Sequence, residues 1–375
     1  MRVLFYNDNF SMLGGAETYW HNCSLALNEQ GIITKQIAFN YSEILKNRLN
    51  IIRKIQQYYL SVFPQKVVMN RFEKIIQEFQ PDLIHLNKNC LFTTSIHKVL
   101  HKLNIPSILT IHDYYSVYFS SSIKGLIKNK IHYPIPQKLN FIIPSYSLYK
   151  SLASKSRERL HHIPHFVDTA DWPFNQARRV KPLQLLFVGR IEKAKGIYVL
   201  LDAIQYLKKW KNEIQLVCIG DGQEMSSFKK SIVKRGLENN IRLLGFQSWE
   251  IVQTYFSESA ILLFSSIKRE LFGLVGIEGQ ACGIPVIASD IGGVREWCIH
   301  NETGILVPPN QADRLAEAIR KLLESPSSQA LLSEKAYQFV KNRFCKSKAI
   351  EQLIALYTDI LNHDQQKTTS AISNT

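Results

Sequence analysis

The feature that most constrains this chain is a rhythm. Short apolar runs rich in β-branched residues alternate with amphipathic helical stretches, and the whole series occurs twice. Strands separated by helices make parallel sheets covered on both faces, so the expectation is an α/β protein with two Rossmann-like doubly wound domains facing across a cleft. In the first round the strands are read at Val3–Tyr6, Ile33–Phe39, Leu83–Leu86, Ser107–Ile111, Phe141–Ile143 and His162–Pro164. In the second they fall at Leu183–Val188, Gln215–Ile219, Ile241–Leu244, Ala260–Phe264, Pro285–Ala288 and Gly304–Val307. Residues 171–182, with Pro173 and Pro182 around a polar, basic middle, read as a linker between a domain over 1–170 and one over 183–345. Beyond these, 346–363 has helical apolar spacing and is expected to cross back to the first domain, and 364–375 is polar enough to be read as a disordered tail.

Charge and cysteine usage narrow the class. The formal net charge is +15 over 375 residues, and residues 1–170 hold 20 Lys and Arg against 10 Asp and Glu. Such an excess calls for acidic partners: nucleic acid, an anionic membrane face or a phosphorylated small molecule. No nucleic-acid recognition module accompanies it, so nucleic-acid binding is not expected. The six cysteines are scattered, without a Cys-x-x-Cys, and are expected to be reduced. The N-terminal apolar stretch is too short for a signal peptide, and no window is apolar for long enough to span a bilayer. The expected place is the cytoplasm, with peripheral attachment to the membrane left open.

Three stretches carry candidate chemistry. Gly14-Gly15 stand between the first strand and a helix, where free backbone N–H groups and a helix dipole suit a phosphate. The Gly-x-Gly-x-x-Gly fingerprint is absent, which disfavours a nicotinamide cofactor. Gly189-Arg190 and Lys195-Gly196 follow the first strand of the second round, the edge where ligands sit in open α/β sheets, so the two cations suit a diphosphate. In Ser265–Ser289 a strand ends, Glu270 follows in a loop, and a glycine-punctuated helix begins near Gly273 with Glu278 inside it. Glu270 is expected beside the free amides of Leu274 and Val275. Glu278 lies among close-packing residues, and burying a polar group without a partner costs roughly 2–7 kcal/mol, so it needs one. Hydroxyls of a sugar and a ribose would serve the two carboxylates. His161, His162 and His165 suggest a metal cluster at first sight, but adjacent strand residues point to opposite faces and no further ligand is suitably spaced. No metal and no cofactor are expected.

These residues resemble the signature of family 4 retaining glycosyltransferases of the GT-B fold. The similarity lies in Glu270 and Glu278 with Phe272-Gly273 between them, in the following Cys282–Ser289, and in Gly14–Glu17, Thr110–Asp113, Ile163–Asp168, Val188–Gly196, Ile219–Gly222 and Gly292–Glu296. The resemblance implies an acceptor-binding first domain and a second domain that binds a nucleotide sugar. It places Arg190 and Lys195 on the donor diphosphate, Glu278 on the ribose, and Glu270 with Phe272, Gly273, Leu274 and Val275 on the transferred sugar. It also puts Gly14 and Gly15 beneath the phosphate, Gly189 beside it, His112 at the sugar's reacting face, and Gly245 and Phe246 at the nucleobase. A UDP-sugar is favoured, GDP-mannose stays open, and the acceptor is a saccharide or a lipid-linked saccharide. No Asp-x-Asp occurs, which fits metal-independent transfer. Departures are His165-Phe166 for Asn-Gly, Gly279-Gln280 for Ala-Met, and Leu271 for a small residue. A nucleotide-sugar epimerase and a non-catalytic subunit of a synthesis complex are the competing readings. Basic, apolar segments at 44–63 and 114–133 suggest an anionic membrane face as a further partner.

Overall fold

A computed structural model describes residues 1–7, 14–39, 65–87, 93–112, 138–153, 159–175, 183–207, 210 and 213–372. The segments 44–63 and 114–133 lie outside the described residues. The chain divides into two units, Met1–Pro164 with Ser347–Thr375, and His165–Lys346.

The first unit runs β1 (Arg2–Asn7), α1 (Gly15–Glu29), β2 (Ile33–Ala38), α2 (Lys66–Phe79), β3 (Leu83–Leu86), α3 (Thr93–Leu103), β4 (Ser107–Thr110), β5 (Leu139–Ile142), α4 (Tyr146–Ala153) and β6 (Leu160–His161). Its six-stranded sheet has the order β2-β1-β3-β4-β5-β6, with every pair parallel. The order reverses between β1 and β3. α1 stops at Gly31, whose φ of 77° lets the Ile32 N–H turn back to the Leu27 carbonyl. Leu4, Tyr6, Phe39, Phe72, Ile84 and Leu109 pack one core.

The second unit runs β7 (Leu183–Val188), α5 (Ile197–Tyr206), β8 (Ile214–Ile219), α6 (Met225–Lys234), β9 (Ile241–Gly245), α7 (Trp249–Glu258), β10 (Ile261–Phe264), α8 (Leu274–Ala281), β11 (Val286–Ser289), β12 (Ile305–Val307), α9 (Ala312–Glu324) and α10 (Pro326–Arg343). The sheet order is β12-β11-β10-β7-β8-β9, again all parallel, with the reversal between β7 and β10. Burial on both faces explains the unbroken apolar strands. Leu185 and Phe187 of β7 join one core with Ile197 and Leu216, while Leu186 joins the other with Leu262, Ile277 and Trp297.

The boundaries differ from the sequence reading in three places. The sixth strand lies at Leu160–His161 rather than His162–Pro164, because Leu160 and His161 pair with Phe141 and Ile142, the Phe141 and Ile143 N–H groups donating to the Arg159 and His161 carbonyls. The second unit begins at His165, and the start of the expected linker is part of its core. Trp172 is buried edge-on against Trp249 and Phe256, and Asn175 donates to the Cys282 and Ser257 carbonyls. Two aromatic residues outweigh the prolines and charges that marked this stretch as a spacer. Finally, α11 (Lys346–Ile372) continues through most of the stretch read as a disordered tail. Gln365, Gln366 and Lys367 are good helix formers that extend an already nucleated helix. α11 packs on the first unit, where Tyr357 donates or accepts at 2.6 Å with His85 Nδ1, and His85 Nε2 meets Thr110 Oγ1 at 2.6 Å. Burial lowers the His85 pKa to about 3, so the ring is neutral.

Candidate functional site

In an open α/β sheet, ligands sit beyond the carboxyl ends of the strands at the point where strand order reverses. Each unit has such a point, and most of the singled-out residues follow the strands that flank it.

In the second unit the reversal lies between β7 and β10. The loops leaving those strands are clasped together. Ser265 Oγ donates to the Lys195 carbonyl at 2.9 Å, and the Ile267 N–H donates to the Ala194 carbonyl at 2.9 Å. This approach needs Gly196, which has φ 70° and where a Cβ would stand 1.9 Å from the Ser265 carbonyl oxygen. Gly220 serves similarly beside Gly189, since a Cβ there would meet the Gly189 carbonyl oxygen at 2.0 Å. The clasp brings Lys195 Nζ onto Glu270 Oε1, and Ser266 Oγ donates to the same oxygen at 2.6 Å. Arg190 Nη1 pairs with Glu192 Oε1 at 2.8 Å and remains 65% exposed. Both cations of the predicted diphosphate site therefore face carboxylates of the chain itself.

Glu270 is followed by a turn that enters α8. Gly273 adopts φ 94° at the helix N-cap, and the Phe272 carbonyl accepts from Trp297 Nε1 at 2.7 Å. The Phe272 ring is buried between His165 and Phe344, so only its main chain can face a ligand. Glu278 lies in α8 with a half-buried side chain and no hydrogen-bond or ionic partner among the described residues. Burial pushes its pKa up to about 7. Gly245 ends β9 with φ 69°, and its carbonyl accepts from the Gly220 N–H at 2.8 Å. Phe246 beside it is 58% exposed.

The departures from the common family pattern have local explanations. Gln280 is fully buried, and its Nε2 donates to the Trp297 and Thr303 carbonyls at 3.0 and 2.8 Å, tying α8 to the loop after β11. Gly279 lets α8 lie against Leu262. His165 is buried edge-on to Phe272, and burial lowers its pKa to about 3. Leu271 is buried as well.

In the first unit the reversal lies between β1 and β3. Gly14 caps α1 in an extended conformation and Gly15 is the first helical residue. His112 follows β4, with its ring edge-on to Tyr19 of α1 at 5.2 Å and its Nε2 2.9 Å from Asn87 Oδ1. Asn87 was missed in the sequence. The signal was available, because it directly follows the apolar run Leu83–Leu86 and so stands at a strand's carboxyl end. Ser266 was likewise passed over inside a stretch already singled out. The three histidines do not converge: His161 meets Asn140, His162 packs on Tyr146 and Tyr149, and His165 belongs to the second unit. Among the described residues no group of three or more His, Cys, Asp or Glu could hold a metal ion. The cysteines at 23, 218, 282, 298 and 345 are free thiols.

Comparison with known proteins bears on this arrangement. The profile of Glycosyltransferase Family 4 matches residues 13–171, and that of Glycosyl transferases group 1 matches 168–339. The chain belongs to the family 4 glycosyltransferases. The alpha-D-kanosaminyltransferase of Streptomyces kanamyceticus is 31% identical to this family member over 176 residues, 47% of this chain and 45% of the relative. An uncharacterized glycosyltransferase of Methanocaldococcus jannaschii is 29% identical over 266 residues, 69% of this chain and 70% of the relative. The chain thus spans about half the length of the first of these relatives and over two thirds of the second. Among solved structures, Anabaena HepE in complex with UDP and glucose superposes with a TM-score of 0.74 at 18% identity, over 96% of this chain and 100% of that one. Sucrose-phosphate synthase from Thermosynechococcus elongatus gives 0.77 at 20% identity, over 96% and 99%. The two parallel-sheet α/β domains are those of the GT-B fold.

Proposed function

We propose that this family 4 member transfers a sugar from a nucleoside-diphosphate sugar to a saccharide or lipid-linked acceptor, with retention at the anomeric carbon and without a metal ion. The observation that carries the reading is the clasp at the β7/β10 reversal, which sets Lys195 on Glu270, with Arg190 in the same loop after β7 paired to Glu192. Breaking the anomeric bond leaves negative charge on the diphosphate. A guanidinium fork and an ammonium at that spot stabilise the charge where it develops. Glu270 and the main chain from Leu271 to Val275 hold the sugar, and Glu278, whose carboxylate has no partner among the described residues, accepts from the ribose hydroxyls. Gly14, Gly15 and Gly189 serve the phosphates, Gly245 and Phe246 the base, and His112 the reacting face of the sugar. Retention by double displacement would need a carboxylate nucleophile. The reading instead has the acceptor attack from the face the phosphate leaves, with the departing phosphate taking the acceptor's proton.

A UDP-sugar is the favoured donor, in keeping with the UDP and glucose bound by the Anabaena neighbour. A thermal-shift screen against UDP, GDP, ADP and their sugars tests this, because a ligand of the folded state raises its melting temperature. A rise with uridine compounds is expected, and no response to any nucleotide sinks the reading. Arg190→Ala and Lys195→Ala should each lower turnover by about 100-fold or more, the scale of losing one charge-stabilising group, while shifting melting by only a few degrees. Equal loss of activity and stability would make the two residues structural. The basic excess over residues 1–170 supports a place on an anionic membrane face. No helix among the described residues is long and apolar enough to cross a membrane. Liposome flotation should show more protein on anionic than on neutral vesicles at low salt, and indifference to lipid charge counts against it.

A further inference from the structure

We propose that Asn87 is a positioning residue that sets which nitrogen of His112 carries a proton and where the ring points; the proposal rests on the role given to His112 above. Asn87 is 1% exposed at the carboxyl end of β3, and its backbone N–H donates to the Tyr6 carbonyl at 2.9 Å. Both ends of its side-chain amide are engaged. Nδ2 donates to the Ala16 carbonyl in the first turn of α1 at 2.9 Å, and Oδ1 lies 2.9 Å from His112 Nε2. A carbonyl oxygen only accepts, so the Ala16 contact decides the orientation of the amide: the flipped form would set oxygen against oxygen. The amide oxygen facing His112 also only accepts. Nε2 therefore carries the proton, as a consequence of connectivity.

The contact also aims the ring. Tyr19 of α1 meets it edge-on, so α1, β3 and the end of β4 together hold one imidazole at the strand-order reversal of the first sheet. With the Nε2 proton committed to Asn87, Nδ1 can only accept from a sugar hydroxyl, and any donation from His112 to a sugar comes from its main chain. The same amide ties the ring to the first turn of α1, directly after Gly14 and Gly15.

Selective ¹⁵N labelling of histidine in the full chain, without donor, reads this directly. The His112 resonances are assigned by their loss in His112→Gln. Two-bond nitrogen–proton spectra of the wild type should show His112 protonated at Nε2. Asn87→Leu, branched at the same carbon but without polar ends, should lose that preference. Asn87→Asp should keep it, since one carboxylate oxygen still accepts from Nε2 although the other loses the hydrogen bond to the Ala16 carbonyl, and it serves if the leucine variant does not fold. Protonation at Nδ1 alone in the wild type, an unchanged His112 spectrum in Asn87→Leu, or loss of the Nε2 proton in Asn87→Asp would overturn the proposal. In transfer assays Asn87→Leu should lower kcat by about tenfold or more with less than about threefold change in donor KM, and should add nothing to His112→Gln. Additive losses count against it. If the wild type transfers no sugar from any nucleotide sugar, the functional reading fails, while the nitrogen spectra still decide the role of Asn87.

Discussion

Lys195 and Glu270 illustrate how one contact can act in two directions. On the proposed function, a diphosphate arriving at Lys195 would compete with the carboxylate already there, and a sugar hydroxyl arriving at Glu270 would release the lysine to the phosphate. Glu270→Gln removes the competing charge. We expect UDP to bind this variant about three- to tenfold more tightly in calorimetry, because a partly exposed ion pair contributes on the order of 1 kcal/mol, whereas turnover of the nucleotide sugar falls. Weaker UDP binding would show that Glu270 orders the site rather than restraining the lysine. Ser266 shares the same oxygen, which keeps the carboxylate in place when the lysine leaves.

Glu278 gives a second prediction at this scale. Its folded pKa, about 7, lies above the ordinary carboxylate value, so the folded state holds a proton that the unfolded chain gives up. The sign follows from linkage: stability falls as pH rises from about 4.5 to 7 and is level beyond. Glu278→Gln removes this penalty. Its melting temperature should exceed the wild type's above pH 7, and the difference should shrink toward pH 5. A gap independent of pH would show that the carboxylate is not strained by burial.

The charged members of the site were legible in sequence because charge beside glycine at a strand end is conspicuous. Asn87 and Ser266 were not, since neutral polar residues at such ends are common and their value lies in partners far along the chain. Ser266 meets a glutamate only four residues on, but that carboxylate's position depends on Lys195, brought over by the Gly196 turn.

Among elements, α8 packs closely at both of its glycines. Its glycines are there for space: a Cβ on Gly276 would stand 2.2 Å from the buried Trp297 ring, and one on Gly279 would stand 2.4 Å from Leu262. Gly276→Ala gains helix propensity, yet the overlap should dominate and destabilise by about 1–3 kcal/mol in urea titration. A stabilised variant would show that the Trp297 ring can yield. The strands themselves were readable, since both-face burial writes them as continuous apolar runs. Strand β6 was misplaced by two residues because an edge strand of that length is defined by its hydrogen bonds to Phe141 and Ile142 rather than by its own composition.

For the whole molecule, the first unit is discontinuous. Helix α11 supplies Tyr357 to His85, 272 positions earlier in the chain. Tyr357→Phe keeps the ring's packing and removes a buried partner of His85 Nδ1, which should cost about 1–3 kcal/mol. Hydrogen exchange should report faster opening of β3 and β4 in this variant, with β7 and β10 unchanged. Uniform acceleration across both sheets would mean that the units unfold together. Its apolar spacing marked α11 as a helix; that it continues to Ile372 was not legible, because composition speaks to exposure and not to whether an existing helix ends.

This return of the chain has a consequence for synthesis on the ribosome. The second unit, continuous from His165 to Lys346, has every strand of its sheet available before Tyr357 is made. The buried His85 must wait for Tyr357, 272 positions later, to emerge, so the first sheet to begin is the last of the two to close its core. In the interval a nascent chain presents the bare seat of α11 to the surrounding folding factors, and a ribosome stalled shortly before codon 357 would hold a second sheet with all its strands made and a first unit still unfinished.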